Sequence, residues 1–475
     1  MREILTLQFG QYANFVGTHF WNTQEAYFSY GDSSVPEFDH DVLFREGKTQ
    51  SGVDTYTPRL LIYDMKGGFG SIPKVSELYG VTKDEDNDIM TWEGDVDSHI
   101  NSSAPVAEYS SANKIDKTLN DADVKSWSDF NRMYYHPRTV NEISQISYQS
   151  ELNKFDCYNN GIDIFQEFER ESETIDTSFR QFAEECDYLQ CINVMASVSD
   201  GFGGFTASYL EFLKDDYPKT PVMTFSIADK NLTVKQKLNS ILSFGHLSEL
   251  SSVIVPMVPP QLDQNVPLNP YQTSSILSMA IETATLPLRL KGPSQQIADL
   301  IGLLQAESSS NVALLSSILA LSSPKQINLA GLEIQDNSSL FGQVSVHRGL
   351  QLLSSEELVD WNALFPSKDM AYFPSLSVKT PVPLLNTVPS ALRNAMKSYP
   401  KWKFGVGELA PAPHIVQWCN TFQTHAIVED YASFLDKVSL RSMPEYQSGT
   451  YGYTDDDFAE LKETIYNKRD AYSQQ

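Results

Sequence analysis

The stretch CDYLQCINVMASVSDGFGGFTASYLEFLKDDYP, residues 186–218, decides the fold of this chain. Residues 189–198 are mostly apolar and bounded by polar residues, which predicts a buried strand. Residues 200–204, DGFGG, interrupt this pattern, and residues 206–216 continue at helical spacing. A strand that enters a helix through a glycine loop can bind phosphate, because unpaired N–H groups at the helix start face the ligand. An ordinary strand-to-helix turn is favoured on this stretch alone, because short glycine motifs often occur by chance.

The composition limits the classes of function that are open to the chain. With 475 residues, 41% of them hydrophobic, it can form two or three packed domains. Its 35 basic and 61 acidic residues give a net charge of −26, so a basic surface for direct nucleic-acid contact is not expected. The four cysteines and eight histidines show no metal-ligand spacing, which predicts free thiols in a reducing compartment and no metal site.

The N-terminal region predicts a protein that acts from the cytosol. Arg2 is the only Lys or Arg among the first thirty residues, and an apolar strand follows at once, so neither a secretory signal nor a mitochondrial presequence is expected. The apolar runs are too short or too interrupted for a membrane span, so any membrane contact should be peripheral.

Two further segments support an α/β fold with a nucleotide-type loop arrangement. Residues 4–9 predict a first strand that ends at Gly10, and helical spacing starts near Tyr12. Residues 59–64, RLLIYD, predict a second buried strand that ends at Asp64, ahead of Gly68. A chain that opens with a βα unit is expected to place its first strand inside a parallel sheet.

These segments resemble tubulin and its bacterial relative FtsZ. The opening MREI with Gly10 and Gln11, the CDYLQ of residues 186–190 and the DDYP of residues 215–218 carry the resemblance. It implies an α/β, doubly wound N-terminal domain with residual nucleotide-site positions at Gly10, Gln11, Asp64, Gly68, Gly201, Gly203, Gly204 and Asn239. By this resemblance Gln11 lies near a phosphate or metal, Asp64 faces the metal and Asn239 contacts the guanine. For Gln11, capping of the first helix is an equally good interpretation.

The same positions depart from the family in ways that weaken nucleotide chemistry. The family's GGGTGSG loop is SDGFGGF here, residues 199–205, which adds a carboxylate at Asp200 and two bulky rings. Val255 and Pro259 stand where the family has a base-stacking tyrosine and a second guanine-reading asparagine. Ala313 stands where the family has the acid that orients water. We therefore expect no GTP hydrolysis, no catalytic residue and no cofactor, with bound GTP as the alternative.

An aromatic motif distinguishes the chain from ordinary tubulins. Residues 127–130, WSDF, residues 134–139, YYHPRT, and residues 14–22, NFVGTHFWN, resemble the Misato family, tubulin-like proteins linked to mitochondrial distribution and inheritance. The resemblance covers the N-terminal half strongly and the rest weakly. It implies a tubulin-like domain at 1–265 with an acidic loop at 76–123, a central helix at 270–290, a second α+β domain at 291–420 and C-terminal helices at 421–475.

The resemblance to the Misato family also implies a function. It predicts a non-catalytic tubulin-like protein that partitions mitochondria and mitochondrial DNA, bound peripherally at the outer mitochondrial surface and present in the cytoplasm. Two alternatives stay open. One is an interaction protein of tubulin biogenesis that binds tubulin or the cytosolic chaperonin, and the other is an active GTPase that polymerises.

Overall fold

The computed structural model describes residues 2–28, 37–48, 54–70, 119–148, 155–260, 269–292, 295–306, 310–321, 324–332, 340–364 and 374–473. The strands are β1 (Glu3–Phe9), β2 (Phe44–Lys48), β3 (Asp54–Pro58), β4 (Leu60–Lys66), β5 (Val140–Ser147), β6 (Leu189–Ser197), β7 (Val222–Ile227), β8 (Val253–Met257), β9 (Leu314–Leu319), β10 (Lys325–Asn328), β11 (Leu340–Arg348), β12 (Ser375–Val378), β13 (Val382–Leu384), β14 (Trp402–Phe404), β15 (Gly407–Ala412) and β16 (His414–Thr421). The helices are α1 (Gln11–Ala26), α2 (Tyr158–Ser172), α3 (Arg180–Glu184), α4 (Phe202–Asp216), α5 (Val234–Leu250), α6 (Pro270–Ala284), α7 (Ile297–Leu304), α8 (Ser355–Ala363), α9 (Ser390–Ala395), α10 (Thr424–Lys437) and α11 (Asp455–Ser473).

Six strands form one parallel sheet in the order β5-β4-β1-β6-β7-β8. The predicted first strand therefore lies inside the sheet, between β4 and β6. Almost every residue of β6 is buried, as expected for a parallel strand whose two faces are covered. Because the strands are parallel, the carboxyl ends of β1, β4 and β6 meet at one edge, the edge at which α/β sheets bind ligands.

Helices cover both faces of this sheet, so the N-terminal region is doubly wound. One hydrophobic core unites one face with α1 and α6, and a second core unites the other face with α2, α4 and α5. Helix α4, which follows the glycine loop, packs against both α2 and α5. The loop is therefore enclosed by helices on its outer side.

The chain after α6 forms a second region with a mixed sheet. Its five strands lie in the order β10-β9-β16-β11-β12, with β11 and β12 parallel and the other neighbours antiparallel. Helix α6 packs between α1 and this second sheet, and all its residues from Thr273 to Ala284 are buried. Helices α10 and α11 pair with each other, and α11 reaches back to α5.

A buried ion cluster joins the two regions at the end of the central helix. Glu282 of α6 is fully buried and forms ion pairs with Arg348 of β11 and with Arg289. Tyr27, at the end of α1, donates its hydroxyl to Glu282 at 3.2 Å and accepts from Arg348 at 2.9 Å. Removing one member would leave an unpaired buried charge, so this cluster holds the regions in one arrangement.

The structure corrects three expectations about element boundaries. The central helix, predicted at 270–290, ends at Ala284, and a 3-10 turn containing Pro287 follows because proline cannot continue the hydrogen-bond ladder. Residues 29–58 have the polar, turn-rich composition of a surface connection, yet they contain the hairpin β2–β3. The chain from Asn311, where a helix was expected, leads instead into strand β9, whose six residues are all buried. Short apolar runs of this kind do not distinguish strand from helix.

The described residues contain neither a membrane-spanning helix nor a metal-binding cluster. In that part of the chain no helix is both long and apolar enough to cross a membrane. The same part contains no group of three or more His, Cys, Asp or Glu side chains arranged to hold a metal ion. Residues 76–118 of the predicted acidic loop lie outside the described residues.

Candidate nucleotide-binding site

The predicted site residues lie at the carboxyl edge of the parallel sheet and on the helix behind it. They follow the ends of β1, β4 and β6 or lie on α5 and comprise Gly10, Gln11, Asp64, Gly68, Gly201, Gly203, Gly204 and Asn239. The glycines, Asp64 and Asn239 contact other side chains and backbone groups of the protein, as described below.

Gly10 caps helix α1 in a conformation that favours glycine. Its φ of 88° is strained for other residues, and its N–H donates to the carbonyl of Tyr63 at 3.1 Å. A Cβ at this position would lie 2.8 Å from the ring of Phe202. The Phe202 ring therefore packs directly against Gly10, the residue that precedes the first turn of α1.

Gln11 is the first residue of α1 and is partly buried. The N-cap residue of α1 is Gly10, which has no side chain to cap the helix, and Gln11 follows it as the first helical residue. One of the backbone N–H groups of this first turn is already engaged, since that of Ala13 donates to the hydroxyl of Ser197 at 3.2 Å. The role of Gln11 near a phosphate stays a prediction.

The three loop glycines allow helices to approach rather than leaving an open cradle. The N–H of Gly201 donates to the carbonyl of Phe155 at 3.1 Å. A Cβ on Gly203 would collide with the hydroxyl of Ser243, and one on Gly204 with the backbone carbonyl of Tyr158. Glycine is thus required here by the close packing of α2 and α5 on the loop.

Aromatic rings fill the volume beneath the loop. Phe202 and Phe205 are both fully buried. The Phe202 ring lies 5.0 Å from that of Phe155, and the Phe205 ring lies 5.9 Å from those of Phe9 and Tyr63. Ring pairs at these distances and tilted angles are stabilising, so the rings form a small core where the family has glycine, serine and threonine.

Asp200 places a carboxylate at the start of α4. Its Oδ1 accepts from the N–H of Phe202 at 2.9 Å, which satisfies one of the donors that a phosphate would need. Burial, together with the nearby carboxylates of Asp229 and Asp64, raises the pKa of Asp200 to about 7. Each of these charges would repel a phosphate group.

Asp64 is fully buried and holds three donors. Its Oδ2 accepts from the amide of Asn14 at 3.0 Å and from the indole N–H of Trp127 at 2.9 Å, and its Oδ1 accepts from the N–H of Met65 at 2.8 Å. Burial raises its pKa to about 6, against the lowering effect of these bonds. A Cβ on Gly68 would lie 2.6 Å from the carboxyl group, so the chain closes over it.

Trp127 is a site residue that the sequence analysis did not assign. The WSDF motif is visible in the sequence. No local pattern shows that the side chain of Trp127 reaches Asp64, which lies 63 residues earlier in the chain. The indole is fully buried and packs edge-on against Phe69 at 5.6 Å. The WSDF motif therefore covers the carboxylate that the resemblance assigned to a metal.

Asn239 is fully engaged by the protein itself. Its Nδ2 donates to the carbonyls of Asp156 at 2.8 Å and Ser199 at 3.0 Å. Its Oδ1 accepts from the N–H of Tyr158 at 2.9 Å and from the hydroxyl of Tyr446 at 2.6 Å. These four bonds use the donors and both acceptor positions of the amide, so none is left to read a base edge. Tyr446, from the C-terminal segment, is a second contact that the sequence did not predict.

Two residues that were aligned with functional positions of tubulin, Val255 and Ala313, lie in places that do not fit those roles. Val255 lies inside strand β8 with no exposure, so it cannot mark the base-stacking position. The first aromatic residue after β8 is Tyr271 of α6, whose ring lies 5.2 Å from that of His19 and whose hydroxyl donates to the carbonyl of Thr387 at 2.6 Å.

The position assigned to the water-orienting acid is also wrong. Ala313 precedes strand β9, whereas the helix after the central helix is α7. The first turn of α7 carries Asp299, which is exposed and accepts from the N–H of Gln296 at 3.0 Å. A carboxylate is therefore present at this helix start. The lack of an acid at position 313 no longer argues against GTP hydrolysis.

Comparison with known proteins agrees with this geometry. Residues 2–117 match the Misato Segment II tubulin-like domain and residues 116–290 match the Tubulin domain. Protein DML1 of Gibberella zeae is 38% identical over 315 residues, which is 63% of each chain. Protein dml1 of Aspergillus niger is 32% identical over 434 residues, 84% of this chain and 88% of its own length. Misato homolog 1 of Danio rerio is 30% identical over 354 residues, 61% of this chain and 59% of its own length.

The aligned parts span less than two thirds of the Gibberella zeae and Danio rerio proteins and most of the Aspergillus niger protein. The expected tubulin-like fold is confirmed by the matched domain and by the six-stranded parallel sheet. The chain belongs to the Misato family of tubulin-like proteins, together with the proteins named DML1.

Proposed function

We propose that the chain is a non-catalytic tubulin-like protein that acts in the distribution of mitochondria and the inheritance of mitochondrial DNA. One observation supports the non-catalytic part: bulky side chains of the protein pack against positions that the resemblance to tubulin assigns to the nucleotide. Phe202 lies over Gly10, and Trp127 donates to Asp64.

Electrostatics supports the same proposal. A phosphate site needs unpaired N–H groups and a positive local field. Here the N–H of Phe202 is bound by Asp200, and Asp64 and Asp229 lie near enough to raise the pKa of that carboxyl group. The net charge of −26 adds to the repulsion.

The active GTPase remains the alternative function from the class of enzymes, and one observation favours it. Asp299 offers an exposed carboxylate at the start of α7, the helix that follows the central helix. Such a group could orient water if a nucleotide from another copy were held against it. The two candidates differ in whether the chain binds GTP at all.

A thermal melt tests this difference. Ligand bound only to the folded state stabilises it by about 2.7 kcal/mol at a hundredfold excess over the dissociation constant. We expect millimolar GTP with magnesium to leave the melting temperature unchanged and GTP turnover to equal that of buffer. A stabilisation that is selective for guanine over adenine nucleotides, or a turnover that is lost in Gln11→Ala, would refute the proposal. Gln11→Ala suits this purpose because the side chain makes no hydrogen bond in the described part of the chain.

The mitochondrial part of the proposal is supported by membership of the Misato family. We propose that the protein associates peripherally with the outer mitochondrial surface and is also present in the cytoplasm. Protease added to intact mitochondria should then degrade it along with outer-surface markers. Protection until the outer membrane is ruptured would contradict this location.

A role in tubulin biogenesis is the second alternative, with tubulin or the cytosolic chaperonin as the partner. The tubulin-like fold is what favours it, because a chain of this fold can present tubulin-like surfaces. Affinity purification from cytosol, read for tubulin and chaperonin subunits, separates the two roles. Stoichiometric recovery of either partner, with no mitochondrial fraction, would favour the biogenesis role.

A further inference from the structure

A groove on the protein surface plays no part in the functions discussed so far. It encloses about 450 Å³ between α5, the start of α11 and the loop at residues 450–453. Its walls are held together firmly, since Leu461 of α11 occupies the position at which a Cβ of Gly245 would lie. The groove is thus a formed surface feature, within the size range of ligand sites.

Aromatic side chains are part of the lining of this groove. The hydroxyl of Tyr453 and Nε2 of His246 are 2.7 Å apart, and the His246 ring stacks on that of Tyr158 at 5.6 Å. Tyr451, beside them in the lining, is 44% exposed. An exposed ring next to a fixed aromatic cluster offers a flat face to a ligand.

Carboxylates also line the groove. Glu249 of α5 and Asp457 and Glu460 of α11 line the groove, whereas Lys and Arg are absent from its described lining. His246 adds no positive charge at neutral pH, because burial lowers its pKa despite the opposing effect of these carboxylates and of Glu211. The charged groups in the described lining are therefore all acidic, and the positive charge that interacts with Glu249 belongs to Lys468, outside this lining.

Hydrogen bonds within the protein engage only some of these carboxylate oxygens. Asp457 accepts from the N–H and the hydroxyl of Thr454, so it serves to cap α11. Glu249 accepts from the hydroxyl of Thr464 at 3.2 Å through one oxygen. Glu460 is exposed and makes no hydrogen bond or ion pair within the described residues. Glu249 and Glu460 thus retain free acceptor capacity toward the groove.

We propose that this groove binds an arginine side chain from a basic segment of a partner protein. A guanidinium group is flat, stacks on tyrosine rings and donates to carboxylates through a rigid fork, so one group can use both the rings and the carboxylates of the groove. A lysine or a free polyamine is more strongly hydrated and matches only the carboxylates. The groove opens to solvent, which allows a side chain to enter while its peptide stays outside.

Fluorescence anisotropy with a defined peptide tests the proposal on the full chain. The probe is fluorescein-labelled Gly-Arg-Gly-Arg-Gly, and its counterpart carries citrulline, which has the shape of arginine without the charge. At 150 mM salt we expect the arginine peptide to bind and the citrulline peptide not to bind. Glu249→Gln with Glu460→Gln should weaken binding about tenfold, since each exposed charge contact contributes about 0.2–1 kcal/mol.

A second double variant separates the groove from the general negative charge of the chain. Glu356→Gln with Asp360→Asn removes the same charge from the exposed face of α8 and should leave binding unchanged. Equal weakening by both double variants would overturn the proposal, as would equal binding of the citrulline peptide. Spermidine binding that is lost in the groove variant, without any peptide binding, would assign the groove to a free polyamine and also overturn it. Circular dichroism of each variant confirms that the exposed substitutions leave the fold intact.

Discussion

Replacing Trp127 with phenylalanine should destabilise the protein in a pH-dependent way. The substitution keeps an aromatic ring but removes the indole N–H that donates to Asp64 at 2.9 Å. A hydrogen bond to a charged group contributes about 1.5–3 kcal/mol and one to a neutral group about 1 kcal/mol. The smaller ring removes on the order of 1 kcal/mol of packing at any pH.

The pH dependence follows from the raised pKa of Asp64, which is about 6. Because this pKa lies above the unfolded value, the folded protein retains the proton at pH 5 and loses it by pH 8. Loss of the indole donor therefore removes a bond to a neutral acid at pH 5 and a bond to a carboxylate at pH 8. We expect a decrease in the free energy of unfolding of about 2 kcal/mol at pH 5 and about 3 kcal/mol at pH 8.

Urea unfolding followed by far-ultraviolet circular dichroism measures this difference without relying on tryptophan fluorescence. In a chain of this length about 1 kcal/mol shifts the melting temperature by only about 1 °C, so denaturant is the more sensitive assay. Trp21→Phe is the matched control, since Trp21 is fully buried and its indole N–H has no acceptor in the described part of the chain. Its effect should be the same at both pH values.

Two outcomes would refute this reasoning. An effect of Trp127→Phe that is equal at pH 5 and pH 8 would show that the indole does not stabilise an ionised Asp64. A pH-dependent effect that persists when Asp64→Asn is also present would assign the dependence to another group. The double variant should instead show only the packing loss, because coupling disappears when one partner has been removed.

The remaining predictions concern the loop and the helix behind it. Asp200→Asn keeps the acceptor for the N–H of Phe202 and removes a carboxyl whose pKa is raised to about 7, so relative to the parent it should gain on the order of 4 kcal/mol between pH 4 and pH 8 in urea unfolding. A stability difference between Asp200→Asn and the parent that does not change with pH would contradict the raised pKa of Asp200. Asn239→Ala removes four hydrogen bonds and should lower the free energy of unfolding by about 3 kcal/mol or more, whereas Tyr446→Phe removes one of them and should lower it by about 1 kcal/mol. Phe202→Ala should lower it by about 3–5 kcal/mol, and tighter GTP binding by this variant would show that the ring excludes the nucleotide.

The acid at the start of α7 illustrates how an alignment by pattern fails. Residues 312–315 have the apolar composition of a helix start, but Val312 forms a β-bridge with Ile254, and Leu314 and Leu315 belong to β9, which pairs with β10 and β16. A run of this length is compatible with either structure, and only the neighbouring strands decide between them. Asp299 lies instead in the first turn of α7, the helix that follows the central helix along the chain.

The sequence by itself determined the α/β class, the position of the first strand and the family. Strand periodicity, glycine loops and the WSDF motif are local patterns, and backbone preferences act over a few residues. What occupies the candidate site was decided only in the tertiary structure. Asp64 meets Trp127 across 63 residues and Asn239 meets Tyr446 across 207. Such pairs depend on how sheets and helices pack, because a buried polar group must find its partner wherever the fold brings one within hydrogen-bonding distance.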